Sequence, residues 1–298
     1  MPERLTVGIP AYNEEKTIGR TLESIFDQIL PEDTSLDIVV CVRKGVDQTE
    51  EIVARLAQQH QEIKLVTTDI QGKAYAWNLL IKAAQQTSDA FVFCDADVVL
   101  GQSAINALYV GLKGDDKVKL AGARLIMVIE GSRGLMKVIN PVLGKAPPKG
   151  TLNGRLYALR KDAVDAVGNI PPWTINEDEY LSLKIQQLFG QEAFKVNMRA
   201  RAYYTPPLTL SDYCRYRFRC EVGHVQLKKT ERFDFKPYST FRGRGSYLWN
   251  LSLREKTVLP VLAAINFWCK VAAGDAYEWG DVKGIEVIES TKKVAERS

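Results

Sequence analysis

From residue 5 to residue 112, short apolar runs alternate with stretches whose apolar residues recur every three or four positions. LTVGIP (5–10), LDIVVCV (36–42), IKLVTT (63–68) and AFVFC (90–94) read as strands. Between and after them, residues 16–28, 49–59, 74–86 and 103–112 read as helices, the first marked by Ile18, Leu22, Ile25 and Phe26. Such alternation predicts an α/β fold, a mostly parallel sheet flanked by crossover helices. Beyond residue 117 the rhythm changes. Residues 119–130 and 152–160 read as strands separated by a Gly- and Pro-rich loop at 131–150. A helix is expected at 179–188, a strand at 193–204, and a basic helix after the prolines at 206 and 207. Residues 231–246, polar and aromatic with glycines, predict a mobile loop before a helical C-terminal extension. The expected division is therefore a catalytic domain over 1–230 and an extension over 231–298.

At 298 residues and 46% hydrophobic, the chain has ample material for a core. A formal charge of +4, spread along the chain, gives no support to a dedicated nucleic-acid binder. Five irregularly spaced cysteines suit reduced thiols, and the N-terminus lacks a basic-then-apolar leader, so a cytoplasmic protein is expected. The apolar stretch 258–273 is shorter than the roughly 20 residues of a spanning helix and contains Lys270. It is expected as a buried helix or one lying at a membrane surface, with peripheral contact at the inner face of the membrane.

AFVFC ends in two carboxylates, Asp95 and Asp97, set against an apolar strand, an arrangement that calls for a compensating positive charge. One D-x-D in a chain of this length arises about once by chance, so DAD alone is a weak signal. Its context is stronger. In parallel sheets ligands bind beyond the carboxyl ends of the strands. Those ends carry PAYNEE (10–15), VRKGVDQT (42–49), the segment leading to GKAYAWN (72–78), and DAD (95–97). Carboxylates, a lysine and an aromatic gathered there suit a nucleotide whose diphosphate is bridged by a hard divalent ion, magnesium or manganese. Further on lie NED (176–178) and RYRFR (215–219). Each piece also has a plain reading as a helix cap, a turn or a solvated face.

In this order, PAYNEE, GKAYAWN, DAD, NED and RYRFR resemble the family 2 glycosyltransferases, which have the type A glycosyltransferase fold. The resemblance spans residues 5–219. It implies that Pro10, Ala11, Tyr12 and Glu14 line the nucleotide pocket, with Lys73 on the base and phosphate side. Asp95 and Asp97 would hold the sugar ribose and the metal. Asp178 would be the general base, supported by Glu177. Asn153 and Gly154 fall where the family contacts donor sugar or acceptor, and Arg215, Arg217 and Arg219 loosely match a basic element facing the diphosphate. His224 is a candidate third metal ligand, since a late histidine completes the metal site in several type A transferases; a helix-face histidine is the alternative. Two departures stand out. VRKGVDQT retains only Asp47 and Thr49 of the family's aspartate-rich turn, and Cys220 replaces the tryptophan that follows the arginine element.

The resemblance thus implies an inverting, metal-dependent transferase. It would move a sugar from a nucleotide-diphosphate donor, a UDP- or GDP-sugar, to a saccharide or lipid-linked acceptor in glycan biosynthesis. A catalytically silent scaffold on the same fold is the alternative. A sugar-phosphate nucleotidyltransferase fits less well, because PAYNEE is neither glycine-rich nor basic.

Overall fold

A computed structural model describes residues 3–84, 88–146, 151–231, 233 and 244–278. It divides into two units, Met1–Ile126 with Thr151–Tyr204, and Met127–Gly150 with Thr205–Ser298.

The first unit contains the expected parallel half-sheet. β1 (Glu3–Ala11), α1 (Ile18–Phe26), β2 (Thr34–Arg43), α2 (Thr49–Gln59), β3 (Ile63–Thr68), α3 (Lys73–Ala83) and β4 (Ala90–Cys94) follow one another. Their strands pair in parallel in the order β3-β2-β1-β4. Val7 stands opposite Ile38 on one side and Val92 on the other, all three buried. Central strands covered on both faces need such continuous apolar runs. Ile18, Leu22 and Ile25 of α1 are likewise buried.

The remaining strands make the sheet a mixed one. β5 (Val98–Leu100) and α4 (Ala104–Lys113) lead to β6 (Leu120–Met127). α5 (Met136–Gly144) precedes β7 (Leu156–Arg160), α6 (Lys161–Val167), α7 (Glu177–Phe189) and β8 (Phe194–Tyr204). β7 runs antiparallel to both β4 and β6, and β5 pairs antiparallel with β8, giving eight strands in the order β3-β2-β1-β4-β7-β6-β8-β5.

β5, α5 and α6 (Lys161–Val167) depart from the sequence expectation. The three-residue β5 follows DAD directly and is too short to show a period. α5 occupies a stretch expected as loop. Its buried Met136, Ile139 and Val142 recur every third residue, a signal outweighed by the surrounding Gly and Pro and by Pro141 within the helix itself.

In the second unit, α8 (Leu210–Thr230), α9 (Arg244–Trp249), α10 (Leu253–Lys256) and α11 (Leu259–Glu278) assemble with α5. Met136, Ile139 and Val142 pack with Tyr213, Leu251, Val258 and Leu262. α8 starts where Thr209 accepts the Asp212 N–H, and α10 starts with a capping box between Ser252 and Glu255. The expected mobile loop, 231–246, lies largely outside the described residues.

Lys145 ties α5 to α10 by donating to Glu255 at 2.7 Å. This bond and the Ser252 N–H hold the Glu255 carboxyl down to about 2 from an ordinary 4.5. A depressed carboxyl stabilises the fold above its unfolded value and ceases to do so as pH falls through the folded one. Thermal melts should therefore show wild type above Glu255→Gln at pH 5 and higher, with the gap closing between 4.5 and about 2. A gap that is the same at every pH would show the tie to be absent.

Candidate active site

β1 lies between β2 and β4, where the strand order reverses, and in such sheets ligands bind beyond the carboxyl ends of the strands at that point. Pairing with β4 stops at Gly8, whereas pairing with β2 continues to Ala11. Pro10 therefore sits where β1 has a neighbour on one side only, the setting in which sheets tolerate a residue without an N–H.

The segment after β1 is braced against the turn after β2. Asn13 takes φ +56° and accepts the Val46 N–H at 3.2 Å. The Asp47 carboxylate accepts the Glu15 N–H (2.9 Å) and the Thr49 N–H and hydroxyl (3.1 and 2.7 Å). Thr49 in turn accepts the Glu14 N–H at 2.7 Å. Asp47 and Thr49 thus hold the two loops together. A Cβ on Gly45 would lie 2.1 Å from the Asn13 amide oxygen, so any side chain there would have to displace the Asn13 amide. Tyr12 lies under the Arg43 guanidinium, 4.0 Å from ring centroid to charge.

The compensating charge for DAD is Lys73, at the first position of α3. Its ammonium lies 2.6 Å from Asp95 Oδ1 and 2.8 Å from Glu177 Oε1, and donates to Gly154 O at 3.2 Å. Burial works against the charged lysine, but the carboxylates of Asp95 and Glu177 prevail and hold it protonated well above the usual lysine range. Beside it, Glu177, Asp178 and Glu179 fill the first turn of α7, where the helix dipole favours negative charge. Asp178 Oδ2 accepts the Gly154 N–H (2.8 Å) and Oδ1 accepts the Glu179 N–H (2.9 Å). A Cβ on Gly154 would approach Asp178 Cβ to 2.8 Å, so this contact exists only with glycine.

Beneath these groups Trp77, Phe93 and Tyr157 stack at 5.3 and 5.1 Å, a buried aromatic floor. The DAD turn itself is anchored by Thr21, whose hydroxyl donates to Ala96 O at 2.8 Å. Burial, and then Asp95, push the Asp97 carboxyl above its ordinary value, with Arg155 and Lys73 opposing. Arg155 also stacks on Tyr204 at 4.0 Å.

The structure therefore gathers Lys73, Asp95, Asp97, Gly154, Glu177 and Asp178. Asn153, next in line, accepts from Arg155 at 3.2 Å. Arg155 and Asn78 were missed as site residues by sequence reasoning. Arg155 directly follows the Asn153-Gly154 pair, which was its only signal. Asn78, the last residue of GKAYAWN, bonds the main chain of Ile170 through both ends of its amide (2.8 and 2.9 Å), ninety-two residues away. RYRFR and His224 belong to α8 in the second unit. There Arg215 pairs with Asp212, Arg217 with Glu221 and Asn266, and Arg219 lies over Tyr216.

A divalent cation can be tested against the residues present. Among the described residues no group of three or more His, Cys, Asp or Glu could hold a metal ion. Asp95 and Asp97 nonetheless supply two hard oxygen donors in one turn, where burial first and Asp95 second oppose ionisation of Asp97. Two carboxylates, with the remaining positions left to diphosphate oxygens and water, suit magnesium-type binding.

Residues 6–135 match the family model described as glycosyl transferase family 2. A probable glycosyltransferase of Bacillus subtilis (strain 168), YdaM, is 25% identical over 198 residues, 62% of this chain and 47% of the relative. A dolichyl N-acetyl-alpha-D-glucosaminyl phosphate 3-beta-D-2,3-diacetamido-2,3-dideoxy-beta-D-glucuronosyltransferase of Methanococcus voltae is 32% identical over 31% of this chain and 28% of its own length. The chain thus spans about half of the first relative and under a third of the second. Among solved structures, the mannosyltransferase PcManGT from Pyrobaculum calidifontis, in complex with GDP-Man and Mn2+, superposes with a TM-score of 0.65 at 21% identity. That match covers 94% of this chain and 89% of the other. Glucosyl-3-phosphoglycerate synthase from Mycobacterium tuberculosis, with Mn2+, UDP-glucose and phosphoglyceric acid, gives 0.55 at 18% identity over 76% and 79%. This chain shares the fold of these glycosyltransferase structures, and its residues 6–135 match the glycosyl transferase family 2 model.

Proposed function

We propose that the protein is an inverting, metal-dependent glycosyltransferase acting on a nucleotide-diphosphate sugar and an acceptor hydroxyl. The observation that carries this reading is the ammonium of Lys73, which joins Asp95 and Glu177 in one ion-paired cluster with Asp178 beside it. One carboxylate group belongs to the donor side and the other to the acceptor side. Pro10, Ala11, Tyr12 and Glu14 would line the nucleotide pocket along the braced loop after β1. Asp95 and Asp97 would hold the cation, which when bound neutralises charge on the departing diphosphate. Asp178 would take the proton of the attacking hydroxyl. Its two N–H donors fix the carboxylate in place before any acceptor arrives. The relatives' substrates support a UDP- or GDP-sugar donor, and a saccharide or lipid-linked acceptor follows the same reading.

Thermal shift with UDP and GDP, each with manganese, magnesium or chelator, tests this. A ligand at about 100 times its Kd adds about 2.7 kcal/mol, several degrees in Tm. One diphosphate plus metal should stabilise wild type by about 5 °C and leave Asp97→Asn unmoved. If no diphosphate stabilises the folded protein under any condition, the silent scaffold becomes the better reading.

A further inference from the structure

The outer face of α11 has no role in the proposed reaction. α11 is predominantly apolar, and within the stretch Leu253–Gly274 an 18-residue window reaches a mean hydropathy of 1.5, enough to cross a membrane by length and composition alone. It is not free to do so in this fold, because one face is fastened to its own unit. Leu262, Cys269 and Ala273 are buried, Asn266 accepts from Arg217 of α8 at 2.9 Å, and Trp268 meets Phe218 of α8 at 6.3 Å. Helical geometry places Pro260, Ala264, Phe267, Trp268 and Val271 on the side away from these buried residues. Phe267 is 71% exposed, Trp268 59% and Val271 49%. A surface helix of a water-soluble domain normally turns polar residues outward. This one turns outward an aromatic and aliphatic stripe flanked by Lys270.

Charge is divided between the units in the same sense. The second unit holds twenty Lys and Arg against twelve Asp and Glu, a formal +8, whereas the first holds twenty against twenty-four, a formal −4. A basic unit with an outward apolar stripe containing Trp and Phe is the composition of a surface that lies in a bilayer interface. A second copy of the chain fits less well, since a symmetric contact would bring two strongly basic units together. A nucleic acid offers nothing to Val271, Ala264 and Pro260.

We propose that the α11 stripe docks the protein on an anionic lipid bilayer. Phe267, Trp268 and Val271 enter the boundary between headgroups and acyl chains, and Lys270 faces lipid phosphates. The protein then works as a peripheral protein at an anionic, inner membrane face. The proposal is independent of the transferase reading, because vesicle binding is measured without turnover.

The full chain is sedimented with vesicles of phosphatidylcholine and with vesicles of equimolar phosphatidylcholine and phosphatidylglycerol. Expected are capture by the anionic vesicles, weak capture by the neutral ones, and weakening with added salt. The double variant Phe267→Gln/Val271→Gln should partition at least about tenfold less, with an unchanged thermal melt. Should that variant fail to fold, tryptophan quenching of wild type by brominated lipids in the anionic vesicles replaces it, and quenching is expected. The proposal is overturned by absence of vesicle binding, by equal capture on both vesicle types, by unchanged partition of the folded variant, or by absence of quenching. Self-association lost in the variant, or retention of an oligonucleotide, without vesicle binding would equally overturn it and assign the stripe to another partner.

Discussion

Lys73→Met is expected to destabilise the protein by about 3 kcal/mol, read as a lower urea midpoint at unchanged slope. The magnitude comes from what is left behind. Glu177 is 5% exposed and has Asp178 as its neighbour in sequence, so removing the ammonium leaves a buried carboxylate with repulsion and no counter-charge. Breaking one partner of a buried pair typically costs about 3–5 kcal/mol, and the one-third exposure of the Lys73 side chain places this case at the lower end. Neutralising the orphan should restore part of the loss, so Lys73→Met/Glu177→Gln should be more stable than Lys73→Met alone. Equal midpoints for wild type and Lys73→Met would show that the lysine does not join the two carboxylates.

Asp178→Asn is expected to lower turnover about 10²- to 10⁴-fold, the usual contribution of a positioned general base. Nucleotide-dependent thermal stabilisation should persist, because the substitution is distant in role from the diphosphate. A smaller structural effect is also predicted. Asp178 now offers one oxygen to Gly154 N–H and the other to Glu179 N–H, while an asparagine has a single oxygen and an NH2 that cannot accept. One amide loses its partner, so stability should fall by about 1 kcal/mol. Near-normal turnover in a folded Asp178→Asn protein would remove Asp178 from the reaction. Lost turnover together with lost nucleotide response would instead assign it to donor binding.

The parallel half of the sheet was legible because the buried stretches of β1, β2 and β4 are nearly continuous apolar runs. So was the site's edge of the sheet, since strand-end residues converge at a point the strand order determines. The ion-paired cluster was not. Lys73 and Glu177 are 104 residues apart in sequence, and no local pattern says that an N-terminal lysine of one helix meets an N-terminal glutamate of another. Asp95 asked for a cation without naming it. α5 was hidden for a different reason, because the residues that break helices surround and enter it while tertiary packing of Met136, Ile139 and Val142 decides the outcome. The turn after β2 looked like a defect in sequence, yet its Asp47 and Thr49 are occupied in joining two loops.

The amide of Asn78 treats the backbone of Ile170 as a neighbouring strand would, giving one bond and receiving one. Gly72 fits against the same loop, its missing Cβ leaving room for the carbonyl of Pro172. The helix that presents Lys73 is therefore clasped to the loop that delivers Glu177. If this region opens to admit a substrate and closes around it, lysine and glutamate travel as one body. The charge pair is then transported intact through the cycle, and neither of its members is desolvated anew on each closure.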